Sequence, residues 1–520
     1  LEGMFAFAIW DEVGKELCLV RDRLGVKPLY YAQYVVRGGG SDAFGICFAS
    51  EVRALLGGGV VQPRLNREAL PDYLRYGTVH GTDTLVQGVQ MLRPGSLLRF
   101  RNEEPARPIR SVWWHPVRNA RLEAADLPAD RVRAEVRERL GRAVEKRLVS
   151  DVPFGAFLSG GIDSSAVVGL MAQCSAAPVH TFSVVFDEER FSEERYARLV
   201  AKRFGTRHTA IRLRPDDMLR LLPHALEAMD HPSMDGPNTY VVSKVTKEAG
   251  ITMALSGLGG DEVFAGYDVF KRSLALQRGH WVAAVPRPLR ALGGSVLMRL
   301  RKGLAMEKAA ELLRAPSWDL ADTYPVSRLI HTDAELARLL GANARPANRV
   351  GMMARVLLDE EGGRTLPLLS QVSLLELSTY LHSVLLRDAD QMSMAHALEV
   401  RVPFLDHDLV EFVLGVPDAE KFPRTPKRLL VESLGELLPR EVVDRPKMGF
   451  TLPWADWMRN QLRSYCESKL FDPAMASVWN AGEVRTLWKR FLAGDKAVTW
   501  GRTWHLVVLS DWMQRNGIER

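Results

Sequence analysis

The sequence predicts an α/β protein: a doubly wound parallel sheet with a helical C-terminal part, preceded by a shorter β-rich segment. Three observations predict it. Short apolar runs at 154–158, 180–186, 208–213 and 251–255 alternate with stretches of helical spacing. Two of these runs end in glycine-rich turns that open helices, Ser159-Gly160-Gly161-Ile162-Asp163-Ser164-Ser165 and Ser256-Gly257-Leu258-Gly259-Gly260-Asp261-Glu262. Beyond about residue 270 the strand signals fade, and the chain reads mainly as helices.

Taken in order, Gly3-Met4-Phe5-Ala6-Phe7-Ala8-Ile9-Trp10-Asp11 alternates as a half-buried strand does. Arg101 to Pro108 is polar and proline-punctuated, and Ala124-Ala125-Asp126-Leu127-Pro128 precedes a helical pattern. A boundary is expected there, dividing the chain into 1–115 and 116–520. From 129 to 148, Val132, Val136, Leu140, Val144 and Leu148 recur every fourth residue and mark one apolar helix face.

The first glycine turn carries the most chemistry. Glycines let the backbone approach an anion and adopt φ > 0. The free N–H groups of the following helix turn point at that anion, helped by the helix dipole. Ser159, Ser164 and Ser165 add hydroxyl donors, and Asp163 can hold a cation that bridges phosphates. The lysine of a G-x-x-x-x-G-K-[ST] loop is absent, so this is no Walker-type site. The bland alternative is an ordinary βα turn with a serine cap. The second glycine turn repeats the arrangement, and Asp163 and Asp261 are candidates to share Mg²⁺ across a nucleotide. Open α/β sheets bind ligands at the strands' carboxyl ends, where strand order reverses.

Composition bounds the rest. A chain of 520 residues has room for two or more domains, and 47% hydrophobic with 25% charged residues excludes a disordered chain. Net charge is +6 and dispersed; the arginine-rich stretches near 132–147 and 287–302 are expected to be solvated helix faces, so no nucleic-acid partner is expected. No run approaches a membrane span. Cys18, Cys47, Cys174 and Cys466 show no metal spacing, which points to a reduced cytoplasmic setting. Met392, Met394, Trp500, Trp504 and Trp512 are expected in the core. His231, His382 and His396 lack metal-ligand spacing and are expected to be satisfied polar groups.

The S-G-G-x-D-S-S string resembles the signature of ATP pyrophosphatases. Both loops, with Leu385 to Asp406 and the block from Pro426-Lys427-Arg428-Leu429-Leu430 to Arg445-Pro446-Lys447-Met448-Gly449-Phe450, resemble the synthetase domain of the glutamine-hydrolysing asparagine synthetase family. Gly3 to Asp11, Arg21 to Tyr31 and Phe48 to Leu55 resemble the second half of that family's N-terminal-nucleophile (αββα) glutaminase domain. The nucleophilic cysteine and the glutamine-binding segments are not in this sequence, so an N-terminally truncated glutaminase half is expected, unable to hydrolyse glutamine as given. The resemblance implies a PP-loop (adenine nucleotide alpha hydrolase-like) domain that activates a carboxylate as an acyl-adenylate, with ATP and Mg²⁺, and then amidates it with ammonia or glutamine nitrogen. It implies that Ser159, Gly160, Gly161, Asp163, Ser164 and Ser165 take the pyrophosphate, and that Phe157, Leu158 and Val184 lie against adenosine. Ser256 and Gly257 would offer backbone contacts, and Lys427, with Asp261, would act in the adenylation step. Lys447 stands between a phosphate contact and a structural tie. Glu399, Arg401 and Asp406 are expected to form ion pairs that fix the helical part beside the ATP site. A homodimer is left open.

Three departures weaken aspartate as the acceptor without removing it. Leu258 stands where the family usually has Glu or Asp, His231 replaces a usual Glu or Gln, and Asp388 and Gln391 stand where Lys and Arg are common. The alternatives are a relative that amidates another carboxylate, a β-lactam-synthetase type that closes a ring with an internal amine, and a non-catalytic ATP-binding homologue. A tyrosine–glutamate pair near the site would favour the ring-closing type, and the sequence cannot place Tyr380 or Glu376 there. A tRNA-modifying enzyme would want an RNA-binding appendage and paired cysteines, and neither is visible.

Overall fold

A computed structural model describes residues 1–36, 43–102, 104, 106–185, 193–300, 303–341, 346–359, 365–422, 425, 427–446 and 452–520. Lys447 and the rest of 447–450, together with Pro426, lie outside the described residues.

The N-terminal segment forms two antiparallel sheets. One joins β1 (Ala6–Asp11), β2 (Glu16–Arg21), β6 (Ser96–Arg101) and β7 (Ile109–Val112) in the order β1-β2-β6-β7. The other joins β3 (Tyr30–Val36), β4 (Ala43–Ala49) and β5 (Val89–Met91) in the order β4-β3-β5. Leu19, Leu98 and Phe100 of the first sheet pack with Leu29, Tyr31 and Leu92 around the second. The buried Arg21 guanidinium closes the intervening turn by donating to the carbonyls of Lys27 (2.7 Å), Leu92 (2.6 Å) and Gly25 (2.8 Å). Ile9, Trp10, Phe44 and Ile109 remain exposed.

The second sheet region is fully parallel: β8 (Phe154–Phe157), β9 (His180–Val185), β10 (Arg207–Arg212), β11 (Met253–Leu255) and β12 (Glu399–Arg401), in the order β10-β9-β8-β11-β12. The chain builds outward from β8 to β10, then returns to place β11 on the other side of β8. Strand order therefore reverses between β8 and β11, whose ends pair directly (Leu255 with Ala156). The two glycine turns leave side by side. The four expected strands are present within two residues of their expected limits among the described residues, residue 186 lying outside them; β12 is an addition.

The expected ion pairs fasten that edge. Arg401 pairs with Glu399 at 3.0 Å and donates to the carbonyls of Arg147 (2.9 Å) and Val149 (2.7 Å) at the end of helix Ala129–Leu148. Arg147 in turn pairs with Asp406 at 2.5 Å, and Asp406 caps helix His407–Gly415. The arginines near 132–147 are thus more than a solvated face, since Arg139 also reaches Asp408 at 2.6 Å. Trp504 and Trp512 are buried and Trp500 half-buried, as expected of a core cluster. Met392 is buried, but Met394 is 46% exposed, which corrects its assignment to the core. Two residues at about 100° each turn it to the opposite side of helix Leu386–Met394.

The loop 230–235 ties the two regions. Its Asp230 carboxylate accepts from the backbone N–H groups of Val52 (2.9 Å) and Arg53 (2.8 Å), at the start of helix Val52–Gly57. His231 Nε2 lies 2.7 Å from the Tyr30 hydroxyl. Gln391 accepts from the N–H groups of Asp230 (2.9 Å) and His231 (3.1 Å), while Asp388 accepts from Ser233 (2.5 Å) and from Gln391 (2.8 Å). His231, Asp388 and Gln391, all departures from the family pattern, therefore form one buried network. No helix among the described residues is long and apolar enough to cross a membrane.

Candidate active site

The first turn is held open by its own hydrogen bonds. Ser159 Oγ lies 3.0 Å from Ser164 Oγ and accepts from the Gly161 N–H at 3.2 Å, and Ser164 Oγ donates to the Gly161 carbonyl at 3.2 Å. Gly160 sits at φ +72°, and a side chain there would strike the backbone of Tyr196 and Ala197. Helix Ile162–Cys174 starts without a side-chain cap, so its first N–H groups keep the donor capacity that an anion uses. Ser165 faces the interior and is fully buried. Phe157 and Val184 are partly buried on their strands; Leu158 is buried and donates its N–H to the Phe182 carbonyl at 2.8 Å.

The second turn packs against the first. A Cβ on Gly257 would stand 2.7 Å from Asp163 Cβ and 2.9 Å from the Ser164 nitrogen, so only glycine admits this approach. The Ser256 N–H donates to the Arg401 carbonyl of β12 at 2.9 Å. Leu258 packs on the main hydrophobic core and so presents an apolar group where the family pattern has a carboxylate.

Lys427 closes the arrangement from far along the chain. It is 5% exposed, and its ammonium pairs with Asp163 and, at 3.0 Å, with Asp261. Burial alone would lower its pKa, but the two carboxylates outweigh that and hold it above the usual lysine value. Its backbone adopts φ +51°, a left-handed conformation that costs a non-glycine residue on the order of 1 kcal/mol. Gly266 fits beneath the pair: a Cβ there would overlap Asp261 Oδ1 and lie 2.5 Å from Lys427 Cε.

Two features escaped sequence reading. Arg445, 6% exposed, pairs with Glu193 at 2.5 Å, and its guanidinium lies 4.6 Å over the Tyr196 ring. Its Nη2 stands 3.6 Å from the position of a Gly161 Cβ, which puts a cation on the first turn. The other is a polar cluster behind Asp261. Tyr267 donates to Glu262 at 2.8 Å, and burial, reinforced by the Asp261 charge, pushes the Glu262 carboxyl up to about 8. Arg328 pairs with Glu376 and lies 3.8 Å over the Tyr380 ring; Tyr324 donates to Glu376 at 2.9 Å. Arg445 lies in the 426–450 block, where the resemblance assigns it no role, and nothing local marks Glu262 or Arg328.

Comparison with known proteins agrees with this geometry. The family model described as "Asparagine synthase" matches residues 135–514, and one described as "Glutamine amidotransferase domain" matches residues 1–114. A putative glutamine-hydrolysing asparagine synthetase of Mycobacterium tuberculosis is 32% identical over 471 residues, covering 88% of this chain and 68% of the relative. Asparagine synthetase 1 of Bacillus subtilis is 28% identical over 521 residues, covering 99% and 78%. A protein named amidase chyE of Penicillium rubens is 27% identical over 497 residues, covering 88% and 70%. With its synthetase-type model spanning most of the sequence and a 32% identical relative matched over two thirds of its length, the chain belongs to the asparagine synthase family.

Proposed function

We propose that this chain is an ATP-dependent amide-forming ligase whose acceptor is a carboxylic acid, aspartate being favoured. In the first step a carboxylate oxygen attacks the α-phosphorus of ATP and pyrophosphate leaves. In the second, ammonia attacks the acyl carbon of the adenylate, AMP leaves and a proton is lost to give the amide. The observation that carries the reading is the Lys427 ammonium held between Asp163 and Asp261, at the meeting of two glycine turns on adjacent parallel strands. A buried cation beside a phosphate cradle is suited to charge that develops on the leaving pyrophosphate and on the phosphoryl oxygens.

The donor set also fits Mg²⁺. Two converging carboxylates, with no group of three or more metal-ligating side chains among the described residues, suit an ion that completes its shell with water and phosphate oxygens. Asp163 and Asp261 would hold it, and it would neutralise phosphate charge. Ser159, Gly161 and Ser164 would take the pyrophosphate, with Arg445 beside them; Phe157 and Val184, on β8 and β9, and Leu158, just after β8, would face adenosine. The glutamine amidotransferase match at 1–114 supports ammonia drawn from glutamine in the whole enzyme. The test is pyrophosphate release from ATP, Mg²⁺ and an ammonium salt, with aspartate beside a panel of other carboxylates. Amide formation with one acid supports the reading; folded protein that binds ATP and turns over none of them overturns it.

A second reading has its own observation. The tyrosine–glutamate pairs Tyr267–Glu262 and Tyr324–Glu376 lie behind the Asp261 turn, the kind of pair a ring-closing ligase with an internal amine would use. Pyrophosphate release that needs no ammonium, from an acid carrying its own amine, would select it.

A further inference from the structure

The arginine-rich stretch near 287–302 departs from the solvated helix face expected of it. Helix Arg287–Leu300 lies against helix Leu304–Arg314, so close that a Cβ on Gly294 would stand 3.1 Å from the Ala310 carbonyl oxygen. Its described side chains are sorted the wrong way round for a helix in water. Arg290 is buried, donates from Nε to the Val285 carbonyl at 3.1 Å, and holds its guanidinium carbon 5.8 Å from the Trp318 ring centroid. Leu289, Leu292 and Val296 are instead 59%, 62% and 47% exposed. At about 100° per residue the three fall within an arc of about 60°, so they form one face rather than a scatter. Trp281, in the short helical turn His280–Ala284 ahead of the helix, is 73% exposed. Apolar residues exposed singly are ordinary, but a row of them along one helix face marks an interaction surface.

The charge around that face narrows what can cover it. From Val269 to Met306 the sequence carries eight lysines and arginines and no aspartate or glutamate, which exceeds the net +6 of the whole chain. The surplus positive charge is therefore concentrated in this segment rather than dispersed. Lys271, Arg272 and Arg278, on helix Asp268–Arg278, are exposed and form no ion pair among the described residues, whereas Arg139, Arg147 and Arg401 each pair with a carboxylate. A partner must be anionic and must also bury apolar side chains. A nucleic acid would meet the charge and leave the leucines in water. A second copy, face to face, would bring the same cations together, and like charges oppose that contact. An anionic lipid surface satisfies both conditions, since acyl chains take the leucines and the tryptophan while charged headgroups meet the cations. Docking of this kind lies in the interface and needs no spanning helix.

We propose that helix Arg287–Leu300, with the cations of helix Asp268–Arg278, docks this protein on an anionic membrane surface, Leu289, Leu292, Val296 and Trp281 entering the boundary between headgroups and acyl chains. The docking does not depend on the ligase reading, because vesicle binding is measured without turnover.

The test is flotation of the full chain with vesicles of phosphatidylcholine alone and of phosphatidylcholine mixed in equal parts with phosphatidylglycerol. Binding is expected to be at least about ten-fold tighter to the anionic vesicles at about 0.1 M salt, and to weaken as salt is raised. Leu289→Gln and Leu292→Gln are each expected to weaken that binding about ten-fold, as withdrawal of one buried leucine implies. Both positions are exposed and lie outside the candidate active site, so thermal unfolding and ATP binding should match the wild type and show that the variants are folded. Absence of vesicle binding, equal binding to the two compositions, or anionic binding indifferent to both leucine substitutions overturns the proposal. Self-association that is lost in Leu292→Gln, without vesicle binding, overturns it in favour of a second copy. Binding to polyglutamate without vesicle binding overturns it in favour of an acidic protein.

Discussion

Lys427→Met removes the charge at the centre of the candidate site while nearly keeping side-chain length. The lysine is 5% exposed, and its two partners, Asp163 and Asp261, are 18% and 19% exposed, so solvent screens the trio poorly. Removing one partner of a buried ion pair costs about 3–5 kcal/mol, because the remaining charge loses its compensation. Here two carboxylates would be left facing each other, which puts the expected loss in the upper part of that range for the ligand-free protein. Mg²⁺ with ATP should recover much of it, since a divalent cation can replace the ammonium between the carboxylates. Turnover should not recover: removal of one preorganised charge-stabilising group costs about 10²–10³ in rate. The assay is thermal unfolding with and without Mg²⁺–ATP, alongside pyrophosphate release. A variant with unchanged melting temperature and unchanged turnover would refute both the electrostatic argument and the role of Lys427.

Three further perturbations follow from the geometry. Gly266→Ala places a methyl group against Asp261 Oδ1 and Lys427 Cε, so it should separate that pair, lowering turnover at least ten-fold with a stability loss of about 1–3 kcal/mol from overpacking. Asp230→Ala leaves the buried N–H of Val52 and its neighbour on Arg53 without their acceptor, and should cost about 1–3 kcal/mol per orphaned group, read by thermal unfolding and by faster proteolysis near residue 52. Glu262 has a raised folded-state pKa, so its protonated form favours the fold; that contribution is full below the ordinary carboxylate value of 4.5, falls as pH rises above it and is gone past about 8. The wild type should therefore lose stability between about pH 5 and pH 8 more steeply than Glu262→Gln, with the two profiles parallel above that range, and profiles parallel throughout would count against that assignment.

The parts of the site legible in the sequence are those written locally. A strand, a glycine turn and a hydroxyl-rich helix start are contiguous, so residues 154–165 and 251–262 announce themselves. Lys427 does not: it meets Asp163 across 264 positions and was reached only through the family resemblance. β12 was missed because three residues carry too little alternation, and Glu399 and Arg401 read as ion-pairing groups before they read as a strand. Met394 departs from its expected burial because apolar character alone does not decide which side of a helix faces inward; the helix turn does. Asp235 and Arg328 carry no local signature, since the pocket they line, about 200 Å³, draws on residues near 76–80, 234–235, 327–330, 350 and 379–384.

The loop 230–235 is anchored at both ends. Asp230 and His231 bond to Val52, Arg53 and Tyr30 on one side, while Ser233 bonds to Asp388 and Asp235 lines a pocket with Arg328 and Tyr380. Moving Asp230 away from Val52 and Arg53, or Ser233 away from Asp388, breaks a hydrogen bond to a carboxylate, so displacement at either end of these six residues costs free energy. If the two sets of bonds move together, a molecule that binds more tightly to one position of the Asp235 end biases the His231–Tyr30 contact, and a shift at Tyr30 changes that molecule's affinity by the same factor. The same six residues therefore join the N-terminal sheets to the helix that carries Asp388 and Gln391, so a change in either is felt first in the loop between them.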